Sequence, residues 1–358
     1  MDANKKLIFP AKLLPFLSEK DNCVISPYGI LTVLSMAAEG ANEECLKQIL
    51  QALGFECLEE LREAVLAVQD VRCSAFTSDN NLALRQGEKK LELLSDFRKI
   101  MEERYNSSIE ESSSDGEAAL FLKNVANFKA EWFYEMERDA SHKICFYNSD
   151  GSKSYPAFLS ATQDYLRYYK GGKEDGEYTY VNAVAIPYKL NNERIPYELV
   201  LVEGNKELTT DVLENIFNNM RLKECKLAFP EFSIKNRYDL IPVMNWLGIN
   251  TIFSQDFPAL DKIATGPLYA ERFCQEAEIE VDKNGTVAKA VTDMDRHIGD
   301  FIDEPKEIVF NSPFHYFLRN TTTGEIIFMG KVNKLEDCEF IEPVDPVDLT
   351  TLFDRVIV

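Results

Sequence analysis

Hydrophobic positions recur at helical spacing in the first third of the chain and give way to short β-type runs beyond residue 120. Residues 28–53, on both sides of Gly40, and residues 87–105 carry apolar side chains three and four positions apart, which predicts helices. Short apolar runs predict strands at 121–128, 180–188, 197–202, 226–234, 277–282, 308–320 and 325–332. Residues 212–220 and 238–248 return to helical spacing. Helices first and strands later, without regular alternation, predict an α+β fold with mixed or antiparallel sheets.

The domain organisation predicted from this pattern is a single large unit. The chain has 358 residues, of which 45% are hydrophobic, and this is enough for one large core. No repeat of fixed period and no long linker divides the sequence. We therefore predict one domain over residues 1–334, followed by an acidic, amphipathic extension at 335–358. The low-complexity stretch 107–119 is predicted to be a surface segment.

The net charge of −21 argues against nucleic acid and anionic membranes as partners. The basic residues Arg221, Lys223 and Lys226 are interrupted by other side chains, which is typical of a solvated face. No apolar stretch approaches the roughly 18 residues of a membrane span. Pro10 and Pro15 interrupt the N-terminal apolar residues that a signal peptide would need. We expect a cytoplasmic protein, with unconventional secretion left open.

Motifs for enzymatic chemistry are missing from the sequence. There is no GxSxG, P-loop, HExxH or GxGxxG pattern. His142, His297 and His315 do not stand at metal-ligand spacing from one another. The eight cysteines form no CxxC pair, which favours reduced and mostly buried thiols. We predict a protein that is not an enzyme and uses no metal or cofactor.

A series of short motifs falls in a fixed order along the chain. They are residues 22–41, then Asn124, Phe128 and Trp132, then residues 185–188, 229–232, 310–314 and 327–332. Each motif alone is compatible with an ordinary buried helix or strand. Together and in this order they resemble the serpin family. The resemblance implies the serpin fold, in which helices pack on large mixed and antiparallel sheets and a reactive-centre loop is exposed.

The resemblance places the reactive loop at residues 283–305. Its hinge comprises Gly285, Thr286, Val287, Ala288, Lys289, Ala290, Val291 and Thr292. Alternate side chains of an inserted strand face opposite sides of the sheet. The alternating set that runs from Thr286 to Met294 carries no charge, whereas the other set holds Lys289, Asp293 and Asp295. The pattern permits insertion, although Lys289 departs from the family's run of small residues, and an ordinary exposed linker remains the alternative.

The resemblance also implies a protease as the partner. Serpins are usually cut about fifteen residues after the hinge glycine, at about 3.3 Å per residue of inserted strand. Counting from Gly285 leads to Gly299, Asp300 and Phe301, with Arg296 somewhat earlier. A cut after Phe301 suits a chymotrypsin-like protease, after Asp300 an aspartate-directed one such as a caspase or granzyme, and after Arg296 a trypsin-like one. We prefer Asp300 and Phe301, because an earlier cut shortens the segment that can insert.

One departure from the family concerns the cover of the main sheet. Residues 106–120 are too few for the helix that serpins usually place across this sheet. We therefore expect a large exposed apolar patch on the uncovered face, which soluble monomers avoid. A hypothesis follows, in which apolar residues of the C-terminal extension cover that patch. These residues are Leu349, Leu352, Phe353 and Val356.

A second departure lies beneath the sheet, in the region where serpins open. The resemblance assigns this shutter region to Ser26, Asn124 and Gln275, with Gly29 and Gln275 standing where the family commonly has serine and histidine. A glutamine at position 275 can still hydrogen-bond Ser26 or Asn124. Two functions remain open. The chain is either a monomeric inhibitor that traps a serine or cysteine protease as a covalent acyl-enzyme, or a non-inhibitory serpin-fold binding protein or chaperone.

Overall fold

A computed structural model describes residues 5–18, 22–69, 74–113, 117–140, 144–171, 180–286 and 306–338. Within these ranges the α-helices are α1 Lys5–Ser18, α2 Pro27–Glu39, α3 Glu43–Leu53, α4 Leu58–Gln69, α5 Ser95–Tyr105, α6 Thr210–Asn219 and α7 Ile241–Trp246, with a 3-10 helix at Thr251–Phe253.

The strands of the first half of the chain are β1 Asn22–Ile25, β2 Phe76–Gln86, β3 Ile109–Ser113, β4 Ala119–Phe128, β5 Ala130–Trp132, β6 Glu137–Asp139, β7 Phe146–Tyr147, β8 Lys153–Ser154 and β9 Phe158–Gly171. Those of the second half are β10 Val181–Leu190, β11 Glu193–Gly204, β12 Arg221–Pro230, β13 Phe232–Asp239, β14 Ala270–Val281, β15 Gly285–Thr286, β16 Lys306–Val309, β17 Phe314–Asn320 and β18 Ile326–Val332.

Two large sheets organise these strands. The first, called the main sheet below, has the order β13-β14-β4-β2-β3. The second runs β1-β18-β17-β11-β10-β9-β12-β16, with β5, β6 and β15 attached at its side. The main sheet is mixed, because β14 pairs with β4 in parallel and β2 pairs with β3 in parallel, whereas its other neighbours are antiparallel. Helices packed on large mixed sheets confirm the predicted α+β class.

Helix α2 lies at the centre of the core, and every one of its residues is buried. Ser26 caps its first turn by accepting a hydrogen bond from the Gly29 amide, and Pro27 occupies the first helical position, where its missing amide costs nothing. The helix ends at Gly40, and α3 begins after Asn42, which caps it. The apolar pattern at 28–53 thus corresponds to two helices, one on each side of Gly40.

The prediction of a helix over residues 87–105 is wrong in its first half, because α5 begins only at Ser95. The Gln86 side chain donates to the Leu91 carbonyl and accepts from the Leu91 amide, both at 2.8 Å. Leu93 then forms an isolated bridge with Ala264. These hydrogen bonds hold residues 87–94 as a loop despite their helical spacing.

Some predicted elements are divided or shortened by prolines and sheet changes. The run 226–234 is split between β12, which ends at Pro230 in the second sheet, and β13, which belongs to the main sheet. The run 308–320 is split between β16 and β17, and Pro313 lies in the break. In the predicted helix 238–248, the first two residues belong to β13 and only Ile241–Trp246 is helical. Proline contributes no amide to a sheet ladder, which explains its place at such ends.

The outer face of the main sheet is mostly polar and its apolar residues Phe121 and Val125 are half-buried, so the expectation of a large exposed apolar patch is wrong. Within the described ranges, none of the large apolar side chains that are exposed belongs to this sheet. Phe121 is half-buried, and the guanidinium groups of Arg85 and Arg272 lie 5.3 and 5.6 Å from its ring centre. The hypothesis about Leu349, Leu352, Phe353 and Val356 concerns residues outside the described ranges, and it loses its premise.

The connection between β3 and β4 is short. Strand β3 ends at Ser113 and β4 begins at Ala119, which leaves residues 114–118 between them, and 114–116 lie outside the described ranges. Ser113 pairs with Gln86 of β2, and Ala119 pairs with the adjacent Arg85. The connection therefore starts and finishes at the same end of the sheet. Five residues span at most about 18 Å, which is too short for a helix across the face.

The segment just after β18 is tied to the hairpin formed by β7 and β8. The Leu335 amide donates to the Asn148 side chain at 2.9 Å. The Tyr155 amide donates to Asp337 at 2.7 Å, and the Cys338 amide donates to the Tyr155 carbonyl at 3.1 Å. Residues 335–338 are therefore part of the folded unit, beyond the boundary at residue 334 that we predicted.

We expect a chain truncated after Lys334 to be less stable than one truncated after Cys338 by about 1–3 kcal/mol, because hydrogen bonds of this kind contribute about 0.5–1.5 kcal/mol each. Urea unfolding of the two truncated chains measures the difference. Equal free energies of unfolding would contradict the structural role of residues 335–338.

Candidate functional site

The candidate site is the boundary between β4 and β14 in the main sheet. The two strands pair directly in parallel, from Ala270 opposite Leu120 to Ala277 opposite Ala126. They are far apart in the sequence, so no short loop prevents them from separating. Parallel pairs are slightly less stable per residue than antiparallel ones. This boundary is therefore a place where the sheet can open and accept an additional strand.

A buried polar network lies beneath the boundary and joins its two sides. The Gln275 side chain of β14 donates to the Asn124 side chain of β4 at 2.7 Å and to the Ser26 carbonyl at 2.9 Å. Its oxygen accepts from the Ser26 amide at 2.8 Å. All three side chains are completely buried. Gln275 thus bonds both of the partners that the sequence led us to consider.

The network extends to the next strand through two residues that the sequence analysis missed. The amide nitrogen of the Asn124 side chain donates to Ser78 at 3.0 Å and to Asn80 at 2.8 Å, both on β2. Ser78 and Asn80 occupy the inward positions of β2, where Leu82 and Leu84 follow at the same alternation. Polar residues at inward positions of an alternating strand were the available signal, because a buried polar group requires a partner.

Gly29 makes room for this network. A Cβ atom at position 29 would lie 2.2 Å from the Asn124 side-chain oxygen, a distance that no real contact tolerates. The Ser26 hydroxyl completes the connection below, because it accepts from the Gly29 amide at 3.1 Å and donates to the Ile327 carbonyl at 2.7 Å. Glycine at position 29 therefore leaves the space that the Asn124 side chain occupies when it accepts a hydrogen bond from Gln275.

The hinge follows β14 through a tight turn. Asp282 and Gly285 form an antiparallel bridge, in which each amide donates to the other's carbonyl, at 3.0 and 3.3 Å. The Asp282 carboxylate also accepts from the Asn284 amide at 2.7 Å and the Gly285 amide at 3.1 Å. Gly285 has a φ of +136°, and a Cβ there would lie 2.2 Å from the Ala130 carbonyl oxygen. Only glycine fits this position.

After the turn, the chain lies against β5 and not between β4 and β14. Gly285 pairs with Glu131 and Thr286 pairs with Ala130. Thr286 is buried, and its hydroxyl lies 3.0 Å from the hydroxyl of Tyr188. Burial raises the pKa of the Tyr188 phenol, so the hydroxyl remains protonated at neutral pH and available for this hydrogen bond.

Two aromatic residues hold this hinge position. Trp132 stacks on Tyr188, with ring centres 4.7 Å apart and an angle of 17° between the ring planes. The Trp132 indole donates to the Asp282 carbonyl at 2.8 Å. Trp132 belongs to a family motif in the sequence, but its link with the hinge is not visible there because the contact joins residues 150 positions apart.

The remaining predicted loop residues lie outside the described ranges. They are Val287, Ala288, Lys289, Ala290, Val291 and Thr292 of the hinge, and Arg296, Gly299, Asp300 and Phe301 of the scissile region. Within the ranges that the structure covers, no group of three or more His, Cys, Asp or Glu residues could hold a metal ion. No helix in those ranges is long and apolar enough to cross a membrane.

A family profile decides the class of this protein. The profile described as "Serpin (serine protease inhibitor)" matches residues 7–114 and 108–335. The chain belongs to the serpin family. The family description names serine protease inhibitors, which supports a protease as the class of partner. The match divides at the end of β3, beside the short connection of residues 114–118.

Individual proteins resemble most of the chain at low identity. Iripin-2 of Ixodes ricinus is 26% identical over 362 residues, which cover 90% of each chain. The superinfection exclusion protein of Variola virus is 25% identical over 346 residues, which cover 88% of this chain and 90% of the relative. Among solved structures, native protease nexin-1 with heparin superposes with a TM-score of 0.74 at 18% identity and covers 93% of this chain and 99% of its own. The last similarity shows the shared fold.

The shutter network makes a testable contribution to stability. We expect Gln275→Leu to lower the free energy of unfolding by about 1–3 kcal/mol, because it leaves buried groups of Ser26 and Asn124 without a partner. The first urea unfolding transition measures this loss. Glu276→Gln is the matched control, since it changes the neighbouring residue on the outer face, and it should leave the transition nearly unchanged. Equal transitions for the two variants would contradict the network's role.

Proposed function

We propose that this serpin inhibits a protease by inserting its cleaved reactive loop between β4 and β14. The observation that carries the proposal is the placement of the hinge. Gly285 and Thr286 lie against β5, while β4 and β14 still pair with each other. The main sheet therefore has five strands and a boundary at which a sixth strand can be added.

Insertion would improve the strand pairing of the sheet. A chain that turns back after Gly285 runs antiparallel to β14, and hence also antiparallel to β4. One parallel pair would then be replaced by two antiparallel pairs, which are the more stable kind per residue. Ala277 and Ala126 face each other across the boundary and are buried, so the inner side accepts small residues such as those of the uncharged loop set. Strand addition of this kind is an established way to gain main-chain hydrogen bonds.

The chemistry would be supplied by the protease. Its serine or cysteine attacks the carbonyl carbon of the cut bond and forms an acyl bond to the loop, while the amine of the following residue leaves with a proton. Insertion of about fifteen residues at about 3.3 Å each carries the acyl group roughly 50 Å along the sheet. The inhibitor requires only that insertion precede attack of water on the acyl bond. No residue of the serpin needs to be catalytic.

The target class depends on the cut bond. We keep the preference for Asp300 and Phe301, and with it a partner that is either aspartate-directed, such as a caspase or granzyme, or chymotrypsin-like. Gly299 and Arg296 are the other candidates. Mass spectrometry of the chain after incubation with each protease identifies the bond that is cut.

A panel of these proteases tests the proposal. We expect one of them to form an adduct that resists SDS, because the acyl bond is covalent. The chain cut within the loop should also unfold at a higher temperature than the intact chain. Cleavage in the loop with neither an adduct nor a gain in heat resistance would contradict inhibition and favour the non-inhibitory binding protein.

A pair of substitutions in the loop separates insertion from binding. Ala290→Arg places a charge in the set predicted to face the core, where an unpaired charge is costly, so we expect the variant to be cut without forming an adduct. Val291→Arg adds the same charge one position later, on the set that faces solvent, and should still form adducts. Comparing adduct yields on denaturing gels measures the effect. Equal yields would contradict insertion in this alternation.

A further inference from the structure

The outer side of β14 carries a row of acidic residues beside the boundary. Glu276, Glu278 and Glu280 occupy alternate positions and point away from the core. Lys235 on β13 lies 3.4 Å from the Glu276 carboxylate and 2.8 Å from that of Glu278. Among the described residues, no ion pair reaches Glu280, which stands opposite Ser233. The exposed Arg237 of β13 also stands opposite Glu276, so two basic residues face three carboxylates and the row keeps one carboxylate in excess.

The turn at Asp282 fixes what an inserted loop would bring beside this row. Asp282 and Gly285 already form a hydrogen-bonded antiparallel pair. If the chain continues the same ladder, Thr286 stands opposite Val281 and each later residue stands opposite one residue earlier in β14. Lys289 then stands opposite Glu278, with Glu276 and Glu280 on its diagonals.

The inner side of the ladder agrees with this register. Ala288 would stand opposite Ile279, Ala290 opposite Ala277, Thr292 opposite Gln275 and Met294 opposite Phe273, and all four of these β14 residues are buried. The uncharged loop set therefore meets the buried set of β14. A shift by one residue would exchange the two faces and bury the loop charges.

Two acidic loop residues also meet basic neighbours in this register. Asp295 would stand opposite Arg272, which is exposed on the outer face. Asp293 would stand opposite Cys274, and Cys274 currently pairs with the exposed Lys123 of β4. Each charged residue between Gly285 and Asp295 thus comes close to a side chain of opposite charge.

We propose that the outer face of the β4–β14 boundary is a charge-complementary binding site for residues 287–295 of this same chain, and that Lys289 promotes insertion by pairing with Glu278. This inference rests on the proposed function and deepens it. Lys289 departs from the small residues of the family, and in this chain it strengthens the inserted strand instead of weakening it. The outer face is solvated, so the pair is an exposed cross-strand pair of modest strength.

A disulfide trap tests the register. Directly opposite residues of an antiparallel pair have Cα atoms about 4.5–5.5 Å apart, within the range of a disulfide, whereas diagonal neighbours are about 7–8 Å apart. We expect a chain with Glu278→Cys and Lys289→Cys to form this cross-link after the loop is cut near Asp300 or Phe301, and not before. The control combines Glu278→Cys with Val291→Cys and should not cross-link. Peptide mapping distinguishes the new disulfide from the native cysteines.

The possible results of the disulfide experiment distinguish a wrong register from a wrong proposed function. A cut chain that gains heat resistance but cross-links only the control pair, or neither pair, would overturn the register and leave the proposed function intact. A cross-link between two chains, seen as a dimer on a non-reducing gel, would place another copy's loop in the sheet and also overturn the inference. A cut chain without a gain in heat resistance would overturn the proposed function itself.

A charge-swap cycle tests the contribution of Lys289. With the protease that forms the adduct, the ratio of adduct to released cleaved serpin reports how fast insertion is relative to deacylation. We expect Lys289→Glu, and separately Glu278→Lys, to lower this ratio about two- to five-fold, as the strength of exposed ion pairs implies. The double swap should restore the ratio to near that of the unmodified chain.

Glu193→Lys is the matched control for the change in net charge, because Glu193 is exposed and begins β11 in the second sheet. It should leave the ratio unchanged. If Lys289→Glu behaves like Glu193→Lys, or if the double swap is no better than the single variants, the pairing of Lys289 with Glu278 is contradicted. The unmodified chain must form adducts in the same assay, and its failure to do so would count against the proposed function.

Discussion

The hydrogen bond between Gln275 and Asn124 joins the two strands that must separate if the main sheet is to gain a strand. It is completely buried, so breaking it without replacement leaves polar groups unsatisfied in the core. The surrounding structure is arranged to hold it: Gly29 leaves the space for the Asn124 side chain, and the Ser26 backbone satisfies the rest of Gln275. The closed sheet is therefore held by this buried side-chain hydrogen bond as well as by the main-chain hydrogen bonds between β4 and β14.

The hinge supplies a second constraint, because Gly285 and Thr286 are held against β5. In the present structure the Thr286 hydroxyl contacts Tyr188, which stacks on Trp132 beside the Asp282 turn. In the proposed inserted state Thr286 would stand opposite Val281. Insertion must therefore exceed the stability of the shutter network and of those hinge contacts that are lost when the chain leaves β5. The hinge contacts with β5 and the shutter network together make insertion before cleavage unfavourable. Cleavage frees only the end of the loop that is distant from the hinge.

Much of this arrangement was accessible from the sequence, because the ordered motifs and the alternation at 277–282 predict the fold and the strand that leads to the hinge. Other features were not, since they depend on contacts between distant residues. Gln86 holds residues 87–94 as a loop, and Trp132 reaches Asp282 across 150 positions. The absence of an apolar patch on the main sheet, in contrast, agrees with the sequence of its strands. The shortness of residues 106–120 does not by itself imply such a patch, because most outward positions of β4 and β14, such as Lys123 and Glu278, are polar in the sequence itself.

The chain departs from the family in its short connection at residues 114–118 and in the charged loop residue Lys289. Each departure alone argues against inhibition, but the first makes the second tolerable. A helix packed on the outer face of the sheet would cover Lys289 in the inserted strand, and burying an ammonium group with incomplete pairing costs more than an exposed pair returns. A short connection at residues 114–118 leaves that face in water, where Lys289 can approach Glu278 without being desolvated. The mostly polar outer face also removes the need for a cover. The missing helix and the charged loop are therefore compatible as a pair, whereas the charged loop beneath a covering helix would weaken the inserted sheet.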